Sequence, residues 1–351
     1  MNPHIIVIGG GIAGLASAWA LARRGARVEV LERNEIGRES SWAGAGILSL
    51  LLPGDYPVQV TDIAEHSQAM YPDWIAGIRA HATVDPEYRR CGMLIRPPYA
   101  ADLAPPGAPL PAKLAQFGAG LWLPEVAQVR NPRLLQALLE ALRQAGVAIH
   151  DRVGSVTLEG SAGLVSAAVA GNRRWQADRY VVAAGAWSAE LLGPYAAGLP
   201  VYPVRGQMLL YRADPDRLPC VVYQGGHYLV PRLDGHILAG STLEEVGFDQ
   251  TTTATAAAEL AAFVAGILPD VAAQGPIRHW AGLRPGSPGN VPIIDRHPEL
   301  ANLYVSAGQF RYGVTLAPAS AEHLADLIEG RPPKLDPRSY RWPDIIRAAP
   351  V

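Results

Sequence analysis

The opening segment constrains the chain more than any other. Residues 4–33 read HIIVIGGGIAGLASAWALARRGARVEVLER. His4–Ile8 is a short β-branched run of the kind that forms a buried parallel strand. Gly9, Gly11 and Gly14 follow with G-x-G-x-x-G spacing, and Ala13–Arg24 has helical composition with Gly25 as its C-terminal cap. A second apolar strand, Arg27–Leu31, ends at Glu32. Each residue type has a physical reason. Gly9 permits the tight turn, Gly11 removes a Cβ that would block a pyrophosphate, and Gly14 lets helix and strand pack closely. The helix N-terminus offers free N–H groups to phosphates, and Glu32 is placed to accept hydrogen bonds from ribose hydroxyls. The acid favours an unphosphorylated ribose, that of NAD or of the adenosine half of FAD, and the loop alone leaves those two open.

The bulk properties narrow the class. At 351 residues, 49% hydrophobic and 18% charged, the chain calls for two structural units. Thirty basic against 32 acidic residues, a net charge of −2, give no basic face for nucleic acid. Cys91 and Cys220 form neither a disulfide framework nor a zinc pattern, so a reducing cytoplasm is the default. The apolar N-terminus has no basic segment before Ile5 and is broken by glycines, which argues against a signal peptide, and no window is apolar enough for a membrane span. His227, His236, His279, His297 and His323 make no metal set, no GxSxG elbow occurs, and Glu244 and Glu245 read as solvated turn residues.

Further along, Arg38–Gly46 is a run of small residues suited to close approach of a large flat cofactor. Asp62–Ala82 reads as a helix, Pro97–Pro111 as an irregular excursion or lid, and Asn131–Gly146 as a helix capped by Asn131. Val147–Ile149, Ser155–Leu158 and a hairpin lead to RYVVAAGAWS (179–188), where strand, glycine turn and helix start repeat the logic of the opening. Val201–Gly240 carries short β-like runs that predict an antiparallel sheet. A helix over Ala254–Ile267, strands at Ile277–Arg284 and Leu303–Ser306, and a last helix from Gly313 to Glu329 complete the reading.

Four segments together carry a resemblance: VIGGGIAG, GRESSWAGAGI (37–47), VVAAGAWS (181–188), and WAGLRPGSP with GQFRYGVTLAPAS toward the end. In matching order over nearly the whole chain, they resemble the FAD-dependent D-amino-acid oxidase superfamily, and within it the bacterial glycine-oxidase branch associated with thiamine thiazole synthesis. The resemblance implies an α/β plus α+β fold: a Rossmann-like FAD-binding domain of glutathione-reductase type (1–85, 145–200 and 300–345) interleaved with a substrate domain on an antiparallel sheet (86–144 and 201–299). It implies noncovalent FAD held by Gly9, Gly11, Ile12, Ala13, Gly14, Glu32 and Arg33, by Ser40, Ser41, Ala45 and Gly46, by Val153 at the adenine, by Ala184, Gly185 and Trp187, and by Gly308, Arg311, Gly313, Val314 and Thr315.

For substrate, the resemblance points to Arg284 and Arg311 as guanidinium forks for an α-carboxylate, with Tyr228 as a phenolic donor. Gln309, Tyr312 and Leu243 depart from the branch's pattern, Leu243 standing at a pocket position often filled by methionine. The implied activity is oxidation of glycine, sarcosine or small D-amino acids to the oxoacid, ammonia or amine and hydrogen peroxide, by hydride transfer to flavin N5 without a protein acid or base. The resemblance also suggests a homo-oligomer. Two other readings stay open: a dehydrogenase passing electrons to a quinone or partner protein, and a noncatalytic flavin-binding subunit.

Overall fold

The computed structural model describes residues 2–52, 55–99 and 107–342. Part of the expected 97–111 excursion, positions 100–106, lies outside them.

The opening strand His4–Ile8 sits inside a six-stranded sheet. In spatial order the strands are Ile293–Arg296, Leu303–Ala307, Arg179–Val182, His4–Ile8, Arg27–Leu31 and Ala148–His150. All neighbours are parallel except the first pair. Side-chain alternation explains the layering. Ile5 and Val7 point into a core shared with helices Ile12–Arg23, Val58–Arg79, Asn131–Gln144 and Gly313–Glu329. Ile6 and Ile8 point the other way, against a three-stranded antiparallel meander over Thr157–Ser161, Leu164–Ala170 and Arg173–Trp175. Both faces are therefore dry, as a parallel sheet requires.

A seven-stranded sheet forms the second layer system. Its order is Arg278–Gly286, Tyr202–Arg212, His236–Gly240, His227–Pro231, Val221–Gln224, Met93–Ile95 and Leu121–Leu123, with one parallel pair, Val221–Gln224 against Met93–Ile95. Leu209, Tyr211, Leu229 and Ile237 pack under helix Ala254–Ala265 through Leu260 and Val264. Met208, Tyr228, Val230 and Leu238 face the opposite way and join the core of the first layer. The antiparallel sheet thus has one face for its own helix and one face for a cavity.

Two expectations change. Asn131 does not cap its helix: the N-cap position is Arg130, with no side-chain cap. The Asn131 amide instead donates from Nδ2 to the Ser41 carbonyl at 2.7 Å, a tertiary contact that outweighs the local one. Helix Asn131–Gln144 packs on the glycine-loop helix, and Ile293–Arg296 is an edge strand of the six-stranded sheet, although the anticipated boundaries grouped both with the other unit. Among the described residues no helix is long and apolar enough to cross a membrane.

Within the last helix, His323 is buried, and neither ring nitrogen has a hydrogen-bond partner. Burial first of all pushes its imidazole down from 6.5 to about 4, with Asp326 pulling weakly the other way. The unfolded chain then binds a proton that the folded chain refuses, so stability rises with pH between those two values and falls as pH drops below 6.5. Thermal unfolding from pH 7 to pH 4 is expected to show this loss, and His323→Leu to flatten the slope by about 2–3 kcal/mol across the window.

Candidate cofactor and substrate site

The two layer systems enclose one long cavity, and the glycine loop forms its first wall. A Cβ on Gly9, which has φ +120°, would lie 2.3 Å from the Ala183 carbonyl oxygen, and one on Gly14 would lie 1.9 Å from the Gly9 oxygen. Neither position admits a side chain. Gly11 is the uncapped N-cap of helix Ile12–Arg23 and lines the cavity with Ile12 and Ala13. Ser41 steadies this end by accepting from Ile12 N at 2.9 Å.

Glu32 lies at the tip of the second strand, buried, and also lines the cavity. Its carboxylate accepts from Gly10 N at 2.8 Å and from Asn34 N at 2.9 Å. These bonds fix its direction and leave lone pairs for a ligand hydroxyl. Beside it, the Arg33 guanidinium stacks 4.0 Å over Trp187, whose other neighbour is Phe248. Ser40, Ala45, Gly46, Ala184 and Gly185 continue the wall. A second uncapped helix N-terminus, Gly313–Val314–Thr315, closes the far end, with Thr315 Oγ1 donating to Ile47 O at 3.0 Å. Asn131 is a wall residue that the sequence offered only as a cap. Its Oδ1 is buried and has no partner.

The substrate end is built from the antiparallel sheet. Tyr228, Arg284, Arg311, Met208, Gln309 and Tyr312 line it. Arg284 Nη1 donates to Thr242 O at 3.1 Å and Nη2 to Ser241 Oγ at 2.7 Å. Arg311 Nη2 is buried and has no hydrogen-bond partner among the described residues. Among the described residues neither arginine forms an ion pair. Burial, first of all, draws Arg284 below the ordinary guanidinium range; Tyr228 opposes this, and repulsion from Arg311 adds to it. The Tyr312 hydroxyl hydrogen-bonds that of Tyr56, and burial holds Tyr312 well above the usual phenol range, so it stays neutral. The carboxylates on the cavity wall are Glu32, Glu39 and Glu190, all on elements around the glycine loop. No group of His, Cys, Asp and Glu suited to a metal ion occurs among the described residues.

Four anticipated residues are absent from the wall. Gly14 serves packing behind it. Val153 is buried, and its N–H donates to Glu32 O at 2.9 Å, while Ser155, Val156 and Thr157 take the wall position. Gly308 sits against Ser287. Leu243 is 51% exposed, because the chain turns outward past Gly240, and the pocket methionine is Met208 on the neighbouring strand. Glu244 is also no solvated turn residue: it pairs with buried Arg205 at 2.6 Å. Tyr56, bonded to a residue 256 positions away, left no local signal.

A family model described as FAD dependent oxidoreductase matches residues 4–327. The chain belongs to that family. It is 41% identical to a glycine oxidase of Pseudomonas aeruginosa over 97% of its own length and 98% of the relative's. It is 30% identical to a bifunctional protein ThiO/ThiG of Synechocystis, covering 92% of the chain and 51% of that relative. A crystal structure of glycine oxidase from Geobacillus kaustophilus superposes with a TM-score of 0.86 at 25% identity, covering 99% and 100% of the two chains.

The residues present suit FAD. Two uncapped helix N-termini opening on one cavity are anion sites, fitting a pyrophosphate at one end and flavin oxygen at the other. The unpartnered Asn131 Oδ1 is an acceptor for a cofactor hydroxyl or N–H, since buried acceptors without partners are rare. Replacing Glu32 by Ala is expected to weaken FAD binding about 10- to 100-fold, the loss expected for hydrogen bonds to a charged acceptor. Flavin retained per chain after gel filtration measures this, and Val153→Ala, off the wall, should retain FAD as the wild type does.

Proposed function

We propose that the protein oxidises glycine, sarcosine or small D-amino acids to the corresponding oxoacid, with ammonia or amine and hydrogen peroxide as the other products. The observation that carries this reading is the buried, unpartnered Nη2 of Arg311 beside Arg284 and Tyr228. A desolvated cation with no counter-ion calls for an anion of matching shape, and a planar carboxylate matches a guanidinium fork. Similarity to the Pseudomonas glycine oxidase over nearly the full chain supports the same choice.

Arg311 donates to the substrate carboxylate, and Tyr228 adds its phenolic O–H. Arg284, with two donors held by Ser241 and Thr242, presents its remaining N–H groups and its charge to the same carboxylate. Fixing one end of a two-carbon substrate fixes the direction of its Cα–H, and this orientation is the protein's main contribution. Bound FAD supplies the hydride acceptor and, through dioxygen, the route to peroxide. The carboxylates of the wall stand on the glycine-loop elements, and the substrate must arrive with its amine neutral. Met208, Tyr228 and Tyr312 line the cavity beside the two arginines, and their bulk favours small side chains on the substrate.

The same reading divides the chain into an FAD unit (1–85, 145–200 and 300–345) and a substrate unit (86–144 and 201–299), with helix 131–144 and strand 293–296 transferred to the FAD unit. It places the protein in the cytoplasm as a homo-oligomer and in the synthesis of the thiamine thiazole. Similarity to the ThiO/ThiG relative supports the last point.

The test follows peroxide and anaerobic flavin bleaching with glycine, sarcosine, D-alanine and D-phenylalanine. Peroxide from the first three and little from the last is expected. Bleaching without peroxide would indicate another electron acceptor, and no bleaching would reject the substrate class. Arg311→Ala should retain FAD while raising KM for glycine about 100-fold, the cost of a charged hydrogen-bonding partner; unchanged KM would remove Arg311 from the carboxylate site.

A further inference from the structure

Arg284 reaches its partners by an unusual path. It stands on strand Arg278–Gly286, whose neighbour is strand Tyr202–Arg212, with Gly206 opposite Gly282 and Val204 opposite Arg284. Its hydrogen-bond partners, Ser241 and Thr242, lie on the far side of that neighbour, just past strand His236–Gly240. The guanidinium therefore lies across the middle strand, and it crosses at Gly206. A Cβ at residue 206 would stand 2.1 Å from Nη1, 2.1 Å from Nη2 and 2.2 Å from Cζ. The backbone there has no positive φ, and glycine inside a strand weakens it, so local conformation gives no reason for glycine.

The landing point is braced. Thr242 Oγ1 accepts from Gln207 N at 2.9 Å and donates to Glu244 Oε1 at 2.5 Å. Arg205 and Glu244 exchange both backbone hydrogen bonds and a side-chain ion pair at 2.6 Å, and Arg205 also pairs with Asp249 at 2.6 Å. We infer that Gly206 is a positioning residue: it is the seat over which the Arg284 guanidinium crosses to a braced Ser241–Thr242 corner, and this crossing sets where Arg284 meets the substrate carboxylate. The inference rests on the proposed role of Arg284 as a carboxylate ligand.

The three atoms nearest a methyl group at 206 all belong to the end of the Arg284 side chain, so Gly206→Ala should fold and bind FAD while Arg284 is pushed off its seat. Steady-state kinetics with glycine on the FAD-loaded wild type, Gly206→Ala, Arg284→Met and the double variant test this. Arg284→Met is expected to raise KM about 100-fold and Gly206→Ala about 10- to 100-fold, with kcat changed less than about threefold, because only binding of the charged group is lost. Flavin content should match the wild type. The double variant should be no worse than Arg284→Met alone, since the glycine acts through the arginine. Should Gly206→Ala fail to fold, Ser241→Ala removes the 2.7 Å anchor without added bulk, and a KM rise of about 3- to 10-fold is then expected. Normal KM in Gly206→Ala, or additive losses in the double variant, would overturn the seat. Normal KM in Arg284→Met would instead overturn the carboxylate role on which it rests.

Discussion

Two guanidinium groups share one buried cavity, Arg284 and Arg311, and among the described residues no carboxylate is paired with either. Burying even one charge without a partner is costly, so such an arrangement persists only where other groups hold it and where a ligand completes it. Arg284 is held by Ser241 and Thr242, and through them by the Arg205–Glu244–Asp249 ion network at the sheet margin. Arg311 shares its wall with Tyr228 and Tyr312, and Tyr312 is in turn hydrogen-bonded to Tyr56. What these neighbours lack is a negative charge, and that deficit selects the substrate end that binds here.

Elsewhere on the cavity wall the same rule holds with backbone in place of side chains. Helices Ile12–Arg23 and Gly313–Glu329 both begin at the cavity wall, and neither has a side-chain cap from its own N-cap residue, although Ser41 accepts from Ile12 N. One cavity thus brings two helix N-termini together with Arg284 and Arg311, and it suits a ligand set with anionic groups at those places. Glu32 is the counter-example that proves useful: its backbone-anchored carboxylate suits hydroxyl donors rather than phosphates.

How much of this could be read from the chain depended on whether the determinant was local. The glycine loop was legible because Gly14 is dictated by the Gly9 carbonyl within the same turn and Gly9 by its own φ of +120°, although the atom nearest a Gly9 Cβ belongs to Ala183, just past the neighbouring strand. Elements with a clean period, such as His4–Ile8 and Gly313–Glu329, also fell where the pattern put them. Asn131 was misread because its local position suits a cap, whereas Ser41 O, 90 residues away, claims its amide. Glu244 looked like a solvated acid because Arg205, its partner, lies 39 residues earlier on another strand. Leu243 has a pocket position by its place in a motif, but it is exposed just beyond buried Ser241 and Thr242, while Met208 on the adjacent strand lines the cavity. Contacts that cross strands or layers leave no periodic trace, and the pocket's shape is made of them.

The most direct measurement is a titration of the FAD-loaded protein with acetate, a carboxylate without an amine, followed by the change in flavin absorbance. Saturable perturbation that matches competitive inhibition of glycine-dependent peroxide formation by acetate, and that weakens when either Arg284 or Arg311 is replaced by Met, is the predicted result. A flavin spectrum indifferent to acetate, or a perturbation unchanged in both variants, would contradict the claim that this pair of unpaired cations is the carboxylate site.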